Sequence, residues 1–255
     1  MTGRRRRPRP PAGLGRMGWL DASRCLVIAH RGASSAAPEN TMAAFALAID
    51  LGADGIELDV RRSREGQIVV IHDASVDRVT GTAGDISSMS LEQLRSLDAG
   101  ARFDRRFAGE RIPTLREVLS LARGRLLVDI ELKVAGIEPQ VVELVRAAGM
   151  HDSVLITSFL EDAVAASMSQ GRGIPVGLLQ ETADLDRVSG LGVPVYLPSI
   201  GVLSNQIMHE CRARGVRVIP WTVRSDADAR RAVSSGVHGI IADDPALIRT
   251  ALAGS

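Results

Sequence analysis

The sequence predicts an α/β fold, a closed (β/α)8 or TIM barrel with a small insertion after the second strand, and three observations carry that prediction. From residue 25 onward, short β-branched and aliphatic runs alternate with longer stretches of helical periodicity, the pattern of βα units around a parallel sheet. Eight such runs can be counted. They occupy about 230 residues, against the roughly 250 that a closed barrel of eight units takes. A doubly wound open sheet is the alternative arrangement of the same units. The chain of 255 residues is 45% hydrophobic, 24% charged and 3% aromatic. That composition fits one soluble globular domain, or at most two, and excludes collagen, coiled coil and wholesale disorder.

Each element has its own justification. The first strand is the aliphatic run over 26–29, and PENT, with Pro38, Asn40 and Thr41 as capping residues, starts a helix over 42–51 that Gly52 stops. The second strand spans 56–60, and the apolar run 68–71 folds back on it across a turn at Arg64, Glu65 and Gly66. About 65 residues separate the second barrel strand from the third. The insertion, about 73–110, holds a small helix capped by Ser90 in SLEQLRSL and a loop, DAGARFDRRFAGERIP. Long loops of this kind often form a substrate mouth. The rhythm then resumes, with strands over 126–131, 154–158, 176–179, 195–198, 216–221 and 239–242. Helices are expected over 115–122, 139–148, 205–214, 226–234 and 245–253, the last capped by Asp243 and Asp244 before Pro245.

Charge narrows the function. Six arginines lie in the first sixteen residues, so the net charge of +1 becomes −5 for the rest of the chain. A mildly acidic body with seven aromatic residues argues against nucleic acid as a partner. Residues 1–24 read as a disordered basic tail, and residues 25–255 as the barrel domain. No window is apolar enough to span a membrane, and the basic start runs into PRPPAG, so stable membrane insertion is not expected and a cytoplasmic location is. Cys25 and Cys211 are too few for a disulfide framework or a thiolate zinc site.

The chemistry concentrates at predicted strand ends. In IELDV, Glu57 and Asp59 are two apart on a strand and share a face, while Ile56, Leu58 and Val60 point the other way. Glu131 ends the third strand in DIELK, with Asp129 on its face. Acids facing a barrel lumen need compensation, either a hard divalent cation or arginines at the rim; the spacing supports both. Only one of the 31 basic residues is a lysine, Lys133, two residues after Glu131. In so Arg-biased a chain, that position reads as a need for a compact charge against a phosphate or a carboxylate, with chance as the alternative. His30 follows the first strand and His72 ends the 68–71 run. Singly, each is a structural hydrogen-bonder; bracketing an acid pair, the two suit general acid and base catalysis. Arg31 is an anion-binding candidate, and Trp221 in PWTV either walls the pocket or packs in the core.

The blocks HRGASSAAPENTMAAF, GADGIELDVRRSREGQIVVIHD, ERIPTLREVL, IELK, TSF, PWTV and GIIADDP, in this order, resemble those of the glycerophosphodiester phosphodiesterases, a family of (β/α)8 barrels. The resemblance covers residues 27–248. It implies metal-dependent hydrolysis of a small glycerophosphodiester to glycerol 3-phosphate and an alcohol, with one divalent ion, Mg2+ or Ca2+. By the same resemblance His30 and His72 are the catalytic histidines, Glu57, Asp59 and Glu131 the metal carboxylates, Arg31 and Lys133 the phosphate contacts, and Trp221 a pocket wall. It further implies the glycerol 2-hydroxyl as nucleophile, by way of a cyclic phosphate. Val79, Arg224 and Ala242 depart from the family blocks, and Arg224, in place of an asparagine, is the one positioned to alter alcohol recognition. The competing readings are a lysophospholipase D, for which the insertion offers only Phe103 and Phe107 as lipid contacts, and a silent phosphoester-binding barrel, which would lack a histidine or a ligand acid.

Overall fold

The computed structural model describes residues 18–254. In chain order, β1 (Leu26–His30) and α1 (Met42–Asp50) lead to the hairpin β2 (Gly55–Arg62) and β3 (Ile68–Val70). The insertion carries α2 (Asp77–Thr80) and α3 (Leu91–Arg95), and α4 (Leu115–Ala122) follows it. Regular alternation then runs β4 (Leu127–Leu132), α5 (Glu138–Ala147), β5 (Val154–Ser158), α6 (Glu161–Gln170), β6 (Val176–Gln180) and α7 (Leu185–Leu191). It ends with β7 (Val195–Pro198), α8 (Asn205–Ala213), β8 (Arg217–Val218), α9 (Asp226–Ser234), β9 (Gly239–Ala242) and α10 (Pro245–Ala253).

Apart from antiparallel β3, the strands pair in parallel and in chain order, with β9 returning to β1. Three backbone hydrogen bonds cross the last seam, from His238 N to Val218 O (2.9 Å), Ile241 N to Pro220 O (3.0 Å) and Val223 N to Ile241 O (2.9 Å). Among the described residues, eight parallel strands therefore enclose one lumen. An open doubly wound sheet, whose strand order reverses at a switch point, is excluded. The strand predicted over 216–221 is regular only at β8, because Pro220 has no N–H with which to continue the ladder. Ile219 N and Trp221 N still bond to β7, at Tyr196 O (3.0 Å) and Pro198 O (3.1 Å).

Alternation along the strands separates two environments. Outward residues such as Ile56, Leu58, Val128 and Ile130 pack beneath the helices with Phe45, Leu115, Leu119 and Val141. Inward residues Leu26, Ile28, Leu127, Leu155, Val195, Leu197, Ile219 and Ile241 fill the lower lumen. Toward the C-terminal strand ends the same inward phase continues as His30, Glu57, Asp59, Asp129 and Glu131, so the lumen is apolar below and charged above. The helices are held at their starts by side-chain caps, Thr41 for α1, Ser204 for α8 and Ser225 for α9, and by full capping boxes at Ser90/Gln93 and Thr114/Glu117. No helix of the described residues is long and apolar enough to cross a membrane.

The disordered tail expected over 1–24 does not hold for residues 18–24 around Trp19. Residues 1–17 lie outside the described residues, whereas in 18–24 Trp19 and Ala22 are buried against the barrel floor. Trp19 is 1% exposed among the lower lumen residues, and its Nε1 donates to Ser153 O at 3.1 Å, just before β5. Trp19 thus plugs the end of the lumen opposite the charged one.

The insertion has a small core of its own, built from Val69, Ile71, Val76, Ile86, Leu94 and Ile112. Its expected loop is organised by Asp98, whose carboxylate accepts from the backbone N–H groups of Gly100, Ala101 and Gly109. Arg102 Nε donates to Arg78 O (3.2 Å), and Glu110 Oε2 accepts from Ala43 N in the first turn of α1 (3.4 Å). These contacts set the insertion on the rim at the C-terminal face of the barrel, where TIM-barrel sites are built.

Candidate active site

Register brings the acids together. β2 and β4 pair Glu57 with Asp129 and Asp59 with Glu131, while β1 and β2 pair His30 with Glu57. One oxygen from each of Glu57, Asp59 and Glu131 lies within 4.8 Å of the others, and all three residues are buried. Asp59 Oδ1 and Asp129 Oδ2 are buried without a hydrogen-bond partner. Three carboxylates at this spacing, with an unsatisfied oxygen among them, are a hard-oxygen donor set that suits a divalent ion such as Mg2+ or Ca2+.

Lys133 Nζ lies 2.6 Å from Glu131 Oε1 and 3.6 Å from Asp59 Oδ1. Arg31 Nε lies 3.1 Å from Asp59 Oδ2. Two fixed cations therefore face three carboxylates, and the excess of negative charge shows in their proton affinities. Burial, then repulsion from Asp59 and Glu131, pushes the Glu57 carboxyl well above the usual range. Burial together with Asp59 pushes Glu131 up to about 7 despite Lys133. Burial also pushes Asp129 up to about 8, although Thr157 Oγ1 donates to its Oδ1 at 2.7 Å. Asp59 goes the other way: burial opposes its charge, but Arg31 and Lys133 outweigh that cost and hold it below its ordinary value.

The loop after β1 is shaped to serve this cluster. Arg31 adopts a left-handed backbone (φ 53°), and its N–H donates to Glu57 Oε2 at 2.9 Å. The next residue can only be glycine: Gly32 has φ 81°, and a Cβ there would lie 2.7 Å from the backbone of Ala44. Asn40, expected as a helix cap, instead donates from Nδ2 to Asp59 Oδ2 at 2.8 Å; Thr41 alone caps α1. Glu39 accepts from Arg31 Nη1 (3.0 Å) and from both Nη groups of Arg78 (2.7 and 2.8 Å), which ties this loop to α2 of the insertion.

Both histidines are tethered through Nδ1 to a carboxylate that is itself held by an arginine. His72 Nδ1 is 2.6 Å from Asp73 Oδ1, and Arg78 Nε donates to Asp73 Oδ2 at 2.6 Å. The His72 carbonyl accepts from Arg61 Nε at 2.8 Å. Burial lowers the His72 pKa against the pull of the Asp59 charge. His30 Nδ1 is 2.6 Å from Asp243 Oδ1, and its Nε2 lies 3.8 Å from Glu57 Oε2. Asp243 is therefore not a cap; Asp244 alone accepts from Ala246 N at the start of α10. Asp243 shares the phase of the lumen-facing Ile241, but its place beside His30 comes from the pairing of β1 with β9, which no local pattern displays.

His30, Glu57, Asp129, Glu131, Thr157 and Trp221 line one cavity in the upper lumen, floored by Leu179 and Ile241. Trp221 walls it with its Nε1 donating to Leu197 O at 2.8 Å, and Phe159 packs edge-on against the indole at 5.2 Å between centroids. Lys133 Nζ lies 5.8 Å from the Phe159 ring centre. Arg224 does not project freely toward an alcohol, because its Nε donates to Asp243 Oδ2 at 2.6 Å. The cysteines take no part: burial pushes the thiols up, to about 12 for Cys25 and about 11 for Cys211, which leaves little reactive thiolate at neutral pH.

Known proteins share this arrangement of blocks and strands. A glycerophosphodiester phosphodiesterase of Caldanaerobacter subterraneus is 40% identical over 233 residues, covering 86% of this chain and 94% of that protein. The solved structure of a glycerophosphodiester phosphodiesterase from Agrobacterium tumefaciens gives a TM-score of 0.79 at 32% identity, over 89% of this chain and 99% of the other. A phosphodiesterase from Oleispira antarctica, solved in complex with the product sn-glycerol-3-phosphate, gives a TM-score of 0.82 at 27% identity over 89% and 96% of the two chains. The family model of the glycerophosphoryl diester phosphodiesterases matches residues 30–247, from the first histidine of the site into the last helix. The chain belongs to the glycerophosphoryl diester phosphodiesterase family.

Proposed function

We propose that this protein hydrolyses glycerophosphodiesters to glycerol 3-phosphate and an alcohol, with a divalent metal ion and two histidines as proton carriers. The observation that carries the reading is the charge cluster at the mouth of the lumen. Three buried carboxylates face two fixed cations and so lack one positive charge; a divalent ion reverses the balance to one positive charge, complementary to a phosphodiester monoanion. Glu57, Asp59 and Glu131 would hold the ion, which supplies Lewis-acid polarisation of the phosphoryl oxygens. The relatives named above and the product held by the Oleispira antarctica protein support this substrate class.

The chain's own groups then divide the remaining work. Lys133 and Arg31 stand beside the carboxylates as fixed cations for phosphate oxygens, and Trp221 limits the pocket on the side away from β2. His30 and His72 serve proton removal from the nucleophile and proton delivery to the departing alkoxide. Each keeps Nε2 available, because its Nδ1 is engaged by a carboxylate. The glycerol 2-hydroxyl, part of the bound substrate, enters with an effective concentration that external water lacks.

The deciding experiment is product analysis on a panel of glycerophosphodiesters and lysophospholipids with Mg2+, Ca2+ or excess chelator. Glycerol 3-phosphate release that needs a divalent ion and is lost in His30→Ala and in His72→Ala is the expected result. Full turnover after prolonged dialysis against chelator would remove the metal from the account.

A further inference from the structure

The register between β1 and β9 pairs Ala29 with Ala242, so the next residues, His30 and Asp243, stand side by side at the mouth. Asp243 is fixed from three directions. Its backbone carbonyl accepts from Ser35 N at 3.1 Å. Its Oδ1 receives His30 Nδ1 at 2.6 Å, with Ser34 Oγ 3.5 Å away, and its Oδ2 receives Arg224 Nε at 2.6 Å. An ionised carboxylate only accepts, so the proton of this contact must sit on His30 Nδ1. In the neutral imidazole that leaves the lone pair on Nε2, which lies 3.8 Å from Glu57 Oε2. Burial would raise the Asp243 pKa, but the bonds from His30 and Arg224 outweigh it and hold the carboxyl at about 2.

The geometry points to Asp243 and Arg224 as a positioning relay for His30. Asp243 fixes the imidazole as its Nδ1–H tautomer with Nε2 toward the reacting centre, and Arg224 keeps that carboxylate anchored rather than contacting the alcohol. Arg224 sits on the segment just after Trp221, so it reaches Asp243 from outside the lumen while its own side chain stays largely in solvent. This inference rests on the reading of His30 as a proton carrier, and it assigns a role to the residue at which the chain departs from the family's PWTV-region pattern.

Two measurements test it. The first reads the tautomer directly, by long-range 1H–15N correlation on 15N-histidine-labelled protein in alkaline buffer. His30 should be the Nδ1–H form in the wild type and should move toward the Nε2–H form in Asp243→Ala, with His72, tethered to Asp73, unchanged as the internal control. The second is steady-state kinetics on two diesters that differ only in the alcohol. Asp243→Asn should lower kcat roughly 10- to 100-fold, as loss of an orienting partner does elsewhere, with KM within about twofold. Arg224→Asn should lower kcat by a smaller, equal factor for both alcohols, and Arg224→Lys should recover part of it. Arg224 is exposed, so its variants test the relay even where an Asp243 variant folds poorly. An unchanged His30 tautomer in Asp243→Ala overturns the inference. So does an Arg224→Asn effect that falls on KM and depends on the alcohol, which would make Arg224 a substrate contact. Should the wild-type protein cleave no glycerophosphodiester, the functional reading fails while the tautomer experiment still decides the relay.

Discussion

Trp19→Ala tests whether the segment before β1 is a structural part of the barrel. The indole is 1% exposed against the lower lumen, and its Nε1 is bonded to Ser153 O. Replacing it with alanine forfeits on the order of 130 Å2 of buried apolar surface, about 3 kcal/mol at 25 cal/mol per Å2. The lost hydrogen bond adds about 1 kcal/mol. The resulting figure of about 4 kcal/mol lies within the roughly 3–5 kcal/mol seen when buried tryptophans are truncated. In a chain of this size each kcal/mol shifts Tm by about 2–4 °C, so the expected drop is about 8–16 °C. Because Trp19 closes the end of the lumen opposite the acids, kcat measured well below the new Tm should stay at the wild-type value. A chain beginning at Met17 should melt with the full-length protein, and one beginning at Cys25 should melt with Trp19→Ala. Differential scanning calorimetry, with kcat measured on the same samples, provides the comparison. A shift under about 2 °C would refute the plug, and a fall in kcat at equal folding would refute its independence from the site.

Three further outcomes follow from the charge cluster and its neighbours. Lys133→Arg replaces a compact ammonium by a wider planar fork at a position 2.6 Å from Glu131, and turnover should fall at least roughly tenfold, about 1.4 kcal/mol of transition-state stabilisation; wild-type kinetics would mean the lone lysine is an accident of composition. In metal-free protein, Asp129→Asn should gain Tm over the wild type as pH rises from about 4 to 8. The folded Asp129 carboxyl, raised to about 8, binds a proton the unfolded chain has released, so its contribution to stability falls across that window; a Tm difference independent of pH contradicts the burial argument. Asp73 and Asp243, both held at about 2, act below that window and with the opposite sign, their stabilisation being lost as pH falls through about 2. A 2-deoxy analogue of glycerophosphocholine should bind as a competitive inhibitor and turn over little, whereas cleavage at the normal rate would favour direct attack by water.

Much of this protein was legible before any coordinates. Alternating aliphatic runs and helical stretches determine the barrel, because a parallel strand and its covering helix each need a local pattern that a sequence displays directly. The same period of two places Glu57 with Asp59 and Glu131 with Lys133 on shared faces. The helix caps, by contrast, were only partly readable. Thr41 and Asp244 behave as their local context requires, yet Asn40 and Asp243, adjacent to them and equally suited to capping, turn into the site to meet Asp59 and His30. Local sequence could not separate those cases, since a short polar side chain at a strand–helix junction satisfies a cap or a lumen partner equally well, and only the neighbour across the sheet decides. Trp19 was hidden for a related reason: its partner Ser153 lies 134 residues away. What the tertiary structure decided was which polar groups meet at the mouth and which face solvent, because pairings between β1 and β9, or between the insertion and the loop after β1, join positions that no periodicity links.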